Sequence, residues 1–324
     1  MATYKGIQGY SVQKLSSDPT ASEAVGQLWY NSDAGKFKVG TSGAAAWASG
    51  GELNTARRGI AVGGAGTATT AVCISGDSPT KPQTEIYNGT AWTEVAPVLT
   101  GRANAGACGT NTAALFISGS TPPTTTLVEE WNGTGWSEIA DVTTKRLECA
   151  GAGTTTAALL ISGNSSPVKL VESWNGVGWS TSPETTTSHK TLTSAGTATA
   201  ALAVAGYAGP PYTSGTNVEL FNGTSWTVNP ALNNGYSSGG GGGTSTSATS
   251  FAGAPYPVLK TETYDGTSWT EVADLASGGN IGGGVGADNT SALFFGGNQG
   301  APTDVKTTQE WDGAPITAKV VTVS

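Results

Sequence analysis

The chain has 324 residues, a charged fraction of only 12%, 48 glycines, a net charge of -8 and a pI near 4.7. Acid in excess of base excludes binding to nucleic acid or to an anionic membrane by counterion release, because no surplus of Lys and Arg exists to neutralise phosphates. No window carries the 3.6-residue rhythm of long helices, and a chain this rich in Gly, Thr, Ser and Ala reads as all-β with many tight turns.

Residues 1 to 25, MATYKGIQGYSVQKLSSDPTASEAV, contain no continuous apolar run that could serve as a signal peptide or a membrane span, so folding in a cytoplasm is expected. Residues 26 to 51, GQLWYNSDAGKFKVGTSGAAAWASGG, hold a hairpin cue at Ser32 to Gly35, and their second half faintly echoes the repeats that follow.

From residue 53 onward one phrase recurs: TEIYNGTAWTEV (84 to 95), VEEWNGTGWSEI (128 to 139), VESWNGVGWS (171 to 180), VELFNGTSWTV (218 to 228) and TETYDGTSWTEV (261 to 272). A degraded sixth copy, TQEWDGAPITAKV (308 to 320), has Ile316 where the others have Trp. The pairs Asn88-Gly89, Asn132-Gly133, Asn175-Gly176, Asn222-Gly223, Asp265-Gly266 and Asp312-Gly313 fall 44, 43, 47, 43 and 47 residues apart. Such pairs tolerate the positive φ of a tight hairpin, so each marks the tip of a two-stranded ribbon. An aromatic precedes each tip, and Trp92, Trp136, Trp179, Trp226 or Trp269 follows four residues after it, giving every ribbon a large flat wedge. Upstream lie apolar strands ending in Gly, such as ALFISG (114 to 119), and before these come Gly- and Ala-rich segments, extreme in YSSGGGGG (236 to 243). Strands of such small residues suit a place where several strands crowd together. Four short strands per period of 40-odd residues are the mark of a β-propeller with its small-residue strands nearest the axis.

The order apolar strand-Gly, variable loop, Glu-x-aromatic-Asn-Gly-x-x-Trp, then Arg resembles a divergent Kelch-type repeat over the last five-sixths of the chain. It departs from that pattern in keeping the double Gly only at Gly296-Gly297. The resemblance implies a six-bladed Kelch-like propeller over residues 53–324, or seven blades if residues 26 to 51 build part of one. Residues 1–52 are then an anchoring or ring-closing segment with a short β-hairpin. This opening segment also resembles that of virion and tail-fibre-like proteins of marine tailed phages.

The single histidine, His189, takes the place that Arg102 and Arg146 hold in neighbouring repeats, which points to a structural role. One His without clustered Cys cannot build the usual transition-metal sites, and the two-His copper site of the Kelch-type galactose oxidase is excluded. Glu85, Glu129, Glu172, Glu219 and Glu262, with Gln309 in the sixth copy, stand three residues before each tip and invite a reading as paired glycosidase acids. Recurrence argues against it: a catalytic acid is needed once, whereas a residue present in every repeat does one job in each, such as accepting bonds from backbone or from an Arg. YDGTSW (264 to 269) lacks the full Asp box of sialidases, and the glycine run 239 to 243 is followed by no GK[ST], so it is no phosphate loop. Cys73, Cys108 and Cys149 form no CxxC pair and read as small core residues.

The loops joining the apolar strand to the aromatic strand are proline-stiffened and share one face with the connections between repeats. Tyr207, Tyr212 and Tyr256 sit there and are the candidate ligand-binding residues, although prolines that merely stiffen exposed backbone explain such loops equally well. The expectation is therefore a non-enzymatic virion structural protein, with no cofactor, that presents a propeller face to a host receptor, a glycan or another virion protein. A homo-oligomer assembled in a bacterial host cytoplasm, with no membrane insertion, goes with it. The alternatives are a free carbohydrate-binding adhesin or lectin and, with no unlike pair of acids to support it, a glycan-cleaving enzyme.

Overall fold

A computed structural model of the chain describes residues 12–18, 27–61, 63, 66–76, 81–164, 168–207, 213–254, 258–299, 303–313 and 316–321. Every regular element among them is a β-strand. The chain divides into two compact units, Met1–Ala45 with Gly313–Ser324, and Ala46–Asp312.

In the smaller unit β1 (Gln13–Leu15) runs parallel to β2 (Leu28–Asn31), which forms an antiparallel hairpin with β3 (Lys36–Ser42). The hairpin turns at Ser32 to Gly35, the expected place, with Gly35 at φ +64°. The Asp18 carboxylate accepts from Trp29 Nε1 (3.2 Å), Asn31 Nδ2 (2.6 Å) and Lys38 Nζ (2.5 Å). Lys38 first, then Asn31, hold that carboxyl below its usual range.

The larger unit opens with β4 (Ala46–Ser49). A three-stranded sheet follows: β5 (Val72–Ile74), β6 (Thr84–Tyr87) and β7 (Trp92–Val95). The second sheet is β8 (Gly106–Gly109), β9 (Ala114–Ile117), β10 (Val128–Trp131) and β11 (Trp136–Ile139). The third is β12 (Ala150–Gly153), β13 (Ala158–Ile161), β14 (Val171–Trp174) and β15 (Trp179–Ser182). The fourth is β16 (Thr193–Thr197), β17 (Ala200–Val204), β18 (Val218–Phe221) and β19 (Trp226–Asn229). The fifth is β20 (Gly240–Gly243), β21 (Ala248–Phe251), β22 (Thr261–Tyr264) and β23 (Trp269–Glu271). The sixth is β24 (Gly283–Asp288), β25 (Ser291–Phe295) and β26 (Thr308–Asp312), completed by β4 from the other end of the sequence. Neighbouring strands in these sheets are antiparallel, and the sheets are arranged like the blades of a propeller.

The degraded sixth copy explains the borrowed strand. Ile316 cannot supply the wedge that Trp supplies elsewhere, and Trp47 takes that place, paired with Trp311 in register. Residues Ile316–Val320 form β27, which pairs with β3 in the smaller unit. The division between units therefore falls at 45/46 and 312/313 instead of after residue 52, because β4 belongs by hydrogen bonding to the last sheet.

Apolar cores fill the spaces between consecutive sheets. Val72, Ile74, Phe116 and Trp131 join the first sheet to the second, while Tyr87, Trp92, Leu293 and Phe295 join the first to the sixth. The innermost strands meet backbone to backbone: a Cβ on Gly151 would lie 2.5 Å from Ala107 O, and one on Gly242 2.2 Å from Gly286 N. Only glycine permits that approach, which accounts for the small-residue strands.

Six connection residues tie the sheets together. The amides of Asn104, Glu148, Thr191, Ser238, Ile281 and Gly59 donate in turn to the carbonyls of Gly59, Asn104, Glu148, Thr191, Ser238 and Ile281, at 2.7 to 2.9 Å, so the six bonds return to their start. All six residues have φ between +52° and +62°, including the β-branched Ile281. Five of them pay local strain to aim their amides at the next connection.

Candidate functional site

The repeated glutamates are buried, and each grips the segment that leads into its own sheet. Glu85 accepts from the amides of Asn54 (2.7 Å) and Thr55 (3.2 Å), and Arg57 Nη2 pairs with it. Glu129 takes Leu99 N (2.6 Å), Thr100 N (3.1 Å) and Arg102 Nη2 (3.1 Å). Glu172 takes Thr143 N (2.7 Å), Thr144 N (3.2 Å) and Arg146 Nη2 (2.9 Å). Two backbone amides and one cation per carboxylate are what a buried charge requires. This is the structural role that recurrence pointed to.

The side-chain partner lies two residues after the second amide, and its identity changes from sheet to sheet. In the fourth sheet it is His189, whose Nε2 lies 2.9 Å from Glu219 Oε1 and whose Nδ1 lies 2.9 Å from Ala205 O. Both ring nitrogens lie within hydrogen-bond reach of an oxygen. Burial raises the Glu219 carboxyl, but bonds from His189, the Thr187 hydroxyl and the Thr186 and Thr187 amides outweigh it and hold the group at about 2. In the fifth sheet the place falls to Tyr236, whose hydroxyl donates to Glu262 at 3.0 Å while Asn233 and Asn234 add four further bonds. In the sixth the position is Gly279, and the acid is replaced by Gln309, which accepts from Ala276 N (2.9 Å) and donates to Ser277 O (2.6 Å). Where the donor disappears, so does the negative charge.

Trp92, Trp136, Trp179, Trp226 and Trp269, with Trp47 in the sixth sheet, pack against the aromatic before each turn at centroid distances of 5.0 to 5.6 Å. Three indoles also bond to the preceding sheet: Trp92 Nε1 to Thr308 Oγ1 (2.9 Å), Trp136 Nε1 to Thr84 Oγ1 (3.1 Å) and Trp47 Nε1 to Thr261 Oγ1 (2.9 Å). The Nε1 atoms of Trp179, Trp226 and Trp269 have no partner among the described residues, because Val128, Val171 and Val218 stand where those threonines would be. The three cysteines are free and buried, and burial pushes Cys73 and Cys108 to about 12 and Cys149 to about 11, so none is a ready nucleophile.

Of the tyrosines expected to bind ligand, Tyr207 is half-buried and its backbone exchanges bonds with Lys190 at 2.9 and 3.2 Å. Lys190 Nζ lies 5.8 Å from the Tyr207 ring centre and 3.3 Å from Glu148 Oε2. Tyr212 and Tyr256 lie outside the described residues. Among the described residues no group of three or more His, Cys, Asp or Glu is placed to hold a metal.

The opposite end of the sheets carries a pattern that the sequence reading passed over. The turns that lead into the apolar strand read Thr67-x-Thr69, Thr110-x-Thr112, Thr154-x-Thr156, Thr197-x-Thr199, Thr244-x-Thr246 and Asp288-x-Thr290, spaced 43, 44, 43, 47 and 44 residues apart. The first oxygen caps its own turn, as when Thr110 Oγ1 accepts from Thr112 N and Ala113 N at 3.3 and 3.1 Å. The second hydroxyl is exposed in all six. A cavity of about 110 Å³ opens among these hairpins, lined by Gly66, Gly109, Gly153, Gly196, Gly243 and Gly286 in particular. The recurring Thr-x-Thr was the signal that would have found it.

No protein-family model matches the chain, and no curated protein matches it. The solved structure of YjhT is similar in fold, with a TM-score of 0.66 at 13% sequence identity over 83% of this chain and 99% of that one. At that identity the likeness speaks to the fold alone.

Proposed function

We propose that the larger unit is a closed, six-bladed Kelch-like propeller and that the chain is a non-enzymatic binding scaffold of a tailed-phage virion, a decoration, tail or fibre component. The observation that carries the binding reading is the use made of the repeated charged groups. All five glutamates and His189 are spent in clamps that fix the connections between sheets. Rigid clamps beneath sequence-variable loops are the arrangement of a recognition surface, not of an acid–base pair. The cycle of six backbone bonds supports the closed ring and the count of six. Ala46 starts β4 and Asp312 ends β26, so the chain enters and leaves this unit at the turn end, away from the proline-rich loops, which fits their presentation to a receptor, a glycan or a neighbouring virion protein. The place in a virion rests on the resemblance of residues 1 to 51 and on the charge-poor, disulfide-free composition.

Mass spectrometry of purified particles, with gold-labelled antibody against the propeller in electron micrographs, tests the proposal. Label at one fixed place on the particle is the expected result. Absence from clean particles would overturn the virion role, and saturable binding on a glycan array, lost in Tyr207→Ala, would then identify a free adhesin.

A further inference from the structure

In the first five sheets of the larger unit a four-residue tip holds the last strand to its neighbour. Tyr87 pairs with Trp92, Trp131 with Trp136, Trp174 with Trp179, Phe221 with Trp226 and Tyr264 with Trp269. The sixth sheet has the equivalent pair, Trp311 with Trp47, and Asp312-Gly313 stands at the tip position, but no turn joins these two strands. Instead β26 runs on towards β27, and β4 arrives from β3. By chain entropy alone, closing a loop of more than 250 residues is roughly 500-fold less favourable than closing one of four. Burial gives β4 one anchor: Ala46, Ala48 and Ser49 are exposed, and Trp47 is half-buried where Trp92, Trp226 and Trp269 are buried. The two strands that leave this sheet pair again. Ile316 lies opposite Ser42, and the ladder continues through Thr317 with Thr41, Ala318 with Gly40, Lys319 with Val39 and Val320 with Lys38. The step from Asp312 to Ile316 and the step from Ala46 back to Ser42 are both four residues, so one register serves both ladders. A one-residue shift in either ladder would break that agreement and turn every side chain of the shifted strand to the other face.

We infer that the smaller unit is the clasp of the sixth sheet: the pairing of β27 with β3 stands in for the missing tip, keeps β4 and β26 a short linker from their meeting point and fixes the register in which they join. With the clasp shut, three residues on each strand, 43 to 45 and 313 to 315, separate the two ladders, and the closure is local again. The hairpin of β2 with β3 is built from neighbours in sequence, so the receiving strand is in place before β27 arrives. The coupling is reciprocal, since a joined β4 and β26 bring β27 to β3 by the same linkers. The inference needs neither the virion reading nor the count of six.

Hydrogen exchange read by mass spectrometry over residues 46 to 49 and 308 to 312, with 158 to 161 of the third sheet as the internal reference, is the test. A chain ending at Asp312 keeps every residue of the larger unit and lacks β27. The expected result is exchange in β4 about 10-fold faster or more, with β13 protected as in the full chain. Insertions test the register without removing any strand. One residue added between Ala44 and Ala45, or one between residues 313 and 314, should each speed exchange in β4 about 10-fold, whereas both together restore the agreement and should bring it back to within about 3-fold of the wild type. Unchanged exchange in β4 when β27 is removed, or a double insertion whose effect is as large as the two single ones combined, would overturn the assignment.

Discussion

The clamp between Arg146 and Glu172 makes the most exacting prediction. Both side chains are fully buried, with Arg146 Nη2 2.9 Å from Glu172 Oε1. The guanidinium has carbonyl support from Leu170 (2.8 Å), Ser162 (3.3 Å) and Leu160 (3.4 Å), and burial alone pulls it below its usual range. Glu172→Gln removes the counter-charge that pairs with Arg146 and aims an NH₂ at the Thr143 or Thr144 amide, two donors face to face. Removing one partner of a buried pair costs about 3–5 kcal/mol, and roughly 2–4 °C per kcal/mol for a chain of this size gives a fall in Tm of roughly 6 to 20 °C. Arg146→Gly strands the carboxylate and costs a comparable amount. The double variant copies the natural Gly279 and Gln309 combination of the sixth sheet, so its loss should fall short of the sum by about 1–3 kcal/mol. Urea unfolding followed by tryptophan fluorescence measures all three. Additivity within about 0.5 kcal/mol would refute the claim that donor and charge are exchanged together.

Val171→Thr should gain about 0.5–1 kcal/mol by giving the orphaned Trp226 indole an acceptor, whereas Thr84→Val should lose about 1 kcal/mol or more by orphaning Trp136; thermal melts that rank them the other way refute the pairing rule. Ile281→Gly, which copies Gly59 in the backbone cycle, relieves a β-branched residue at φ +59° and should raise stability by about 1 kcal/mol, a gain that calorimetry either finds or denies. Gly242→Ala forces a Cβ to 2.2 Å from Gly286 N and should cost several kcal/mol or prevent folding, while Gly178→Ala, with open space around it, should lie within about 1 kcal/mol of the wild type. Glu219 sits at about 2 in the fold against an ordinary 4.5, so its contribution is complete above about 4.5 and is lost as pH falls towards 2; this is roughly 3 kcal/mol, and Glu219→Gln should flatten that limb of the acid-unfolding curve.

The fold was legible because its determinants are local and repeated. Asn-Gly tips, aromatic wedges and small-residue strands each need specific chemistry at a fixed offset, and the structure uses them as their spacing implies, with Gly89, Gly133, Gly176, Gly223 and Gly266 at φ +89° to +94°. The glutamate clamp was legible in kind, since recurrence separates a structural acid from a catalytic one, but its partner was not. The donor changes from Arg to His to Tyr to Gly, and no residue type marks the position. The lost double Gly misleads for a similar reason. Ser75, Ser118, Ser162, Ala205 and Ala252 stand where Gly296 stands, and all take φ between +51° and +59°, so the backbone kept the conformation after the residue type changed. For Ser75 and Ser118 the compensation is visible: each hydroxyl accepts the amide of the next Arg, Arg102 or Arg146, at 2.8 Å. The candidate binding site was least legible because a loop's sequence fixes neither its path nor its ligand.

The sixth sheet joins strands from the two ends of the larger unit and so forms its seam. Its fourth strand comes from the opposite end of the sequence, so β4 and β26 must find each other across more than 250 residues, an entropic cost that no other sheet of the larger unit bears. Its clamp is also the neutral one, Gln309 without a cation. Apolar packing alone would hold this sheet without fixing which strand joins it, since Trp47 resembles every other wedge. Two of the three indole bonds between sheets fall here. Trp47 donates to Thr261 on one side, Trp92 donates to Thr308 on the other, the Tyr87 hydroxyl donates to Glu310, and Lys81 reaches Asp304 at 3.3 Å. The third, fourth and fifth sheets, whose strands are neighbours in sequence, make do with valine beneath the indole. Hydrogen bonds of this kind add little net stability but penalise a wrong partner heavily, because a misplaced strand buries them unpaired. Their concentration at the seam is what a chain needs when one strand must be chosen from six similar ones.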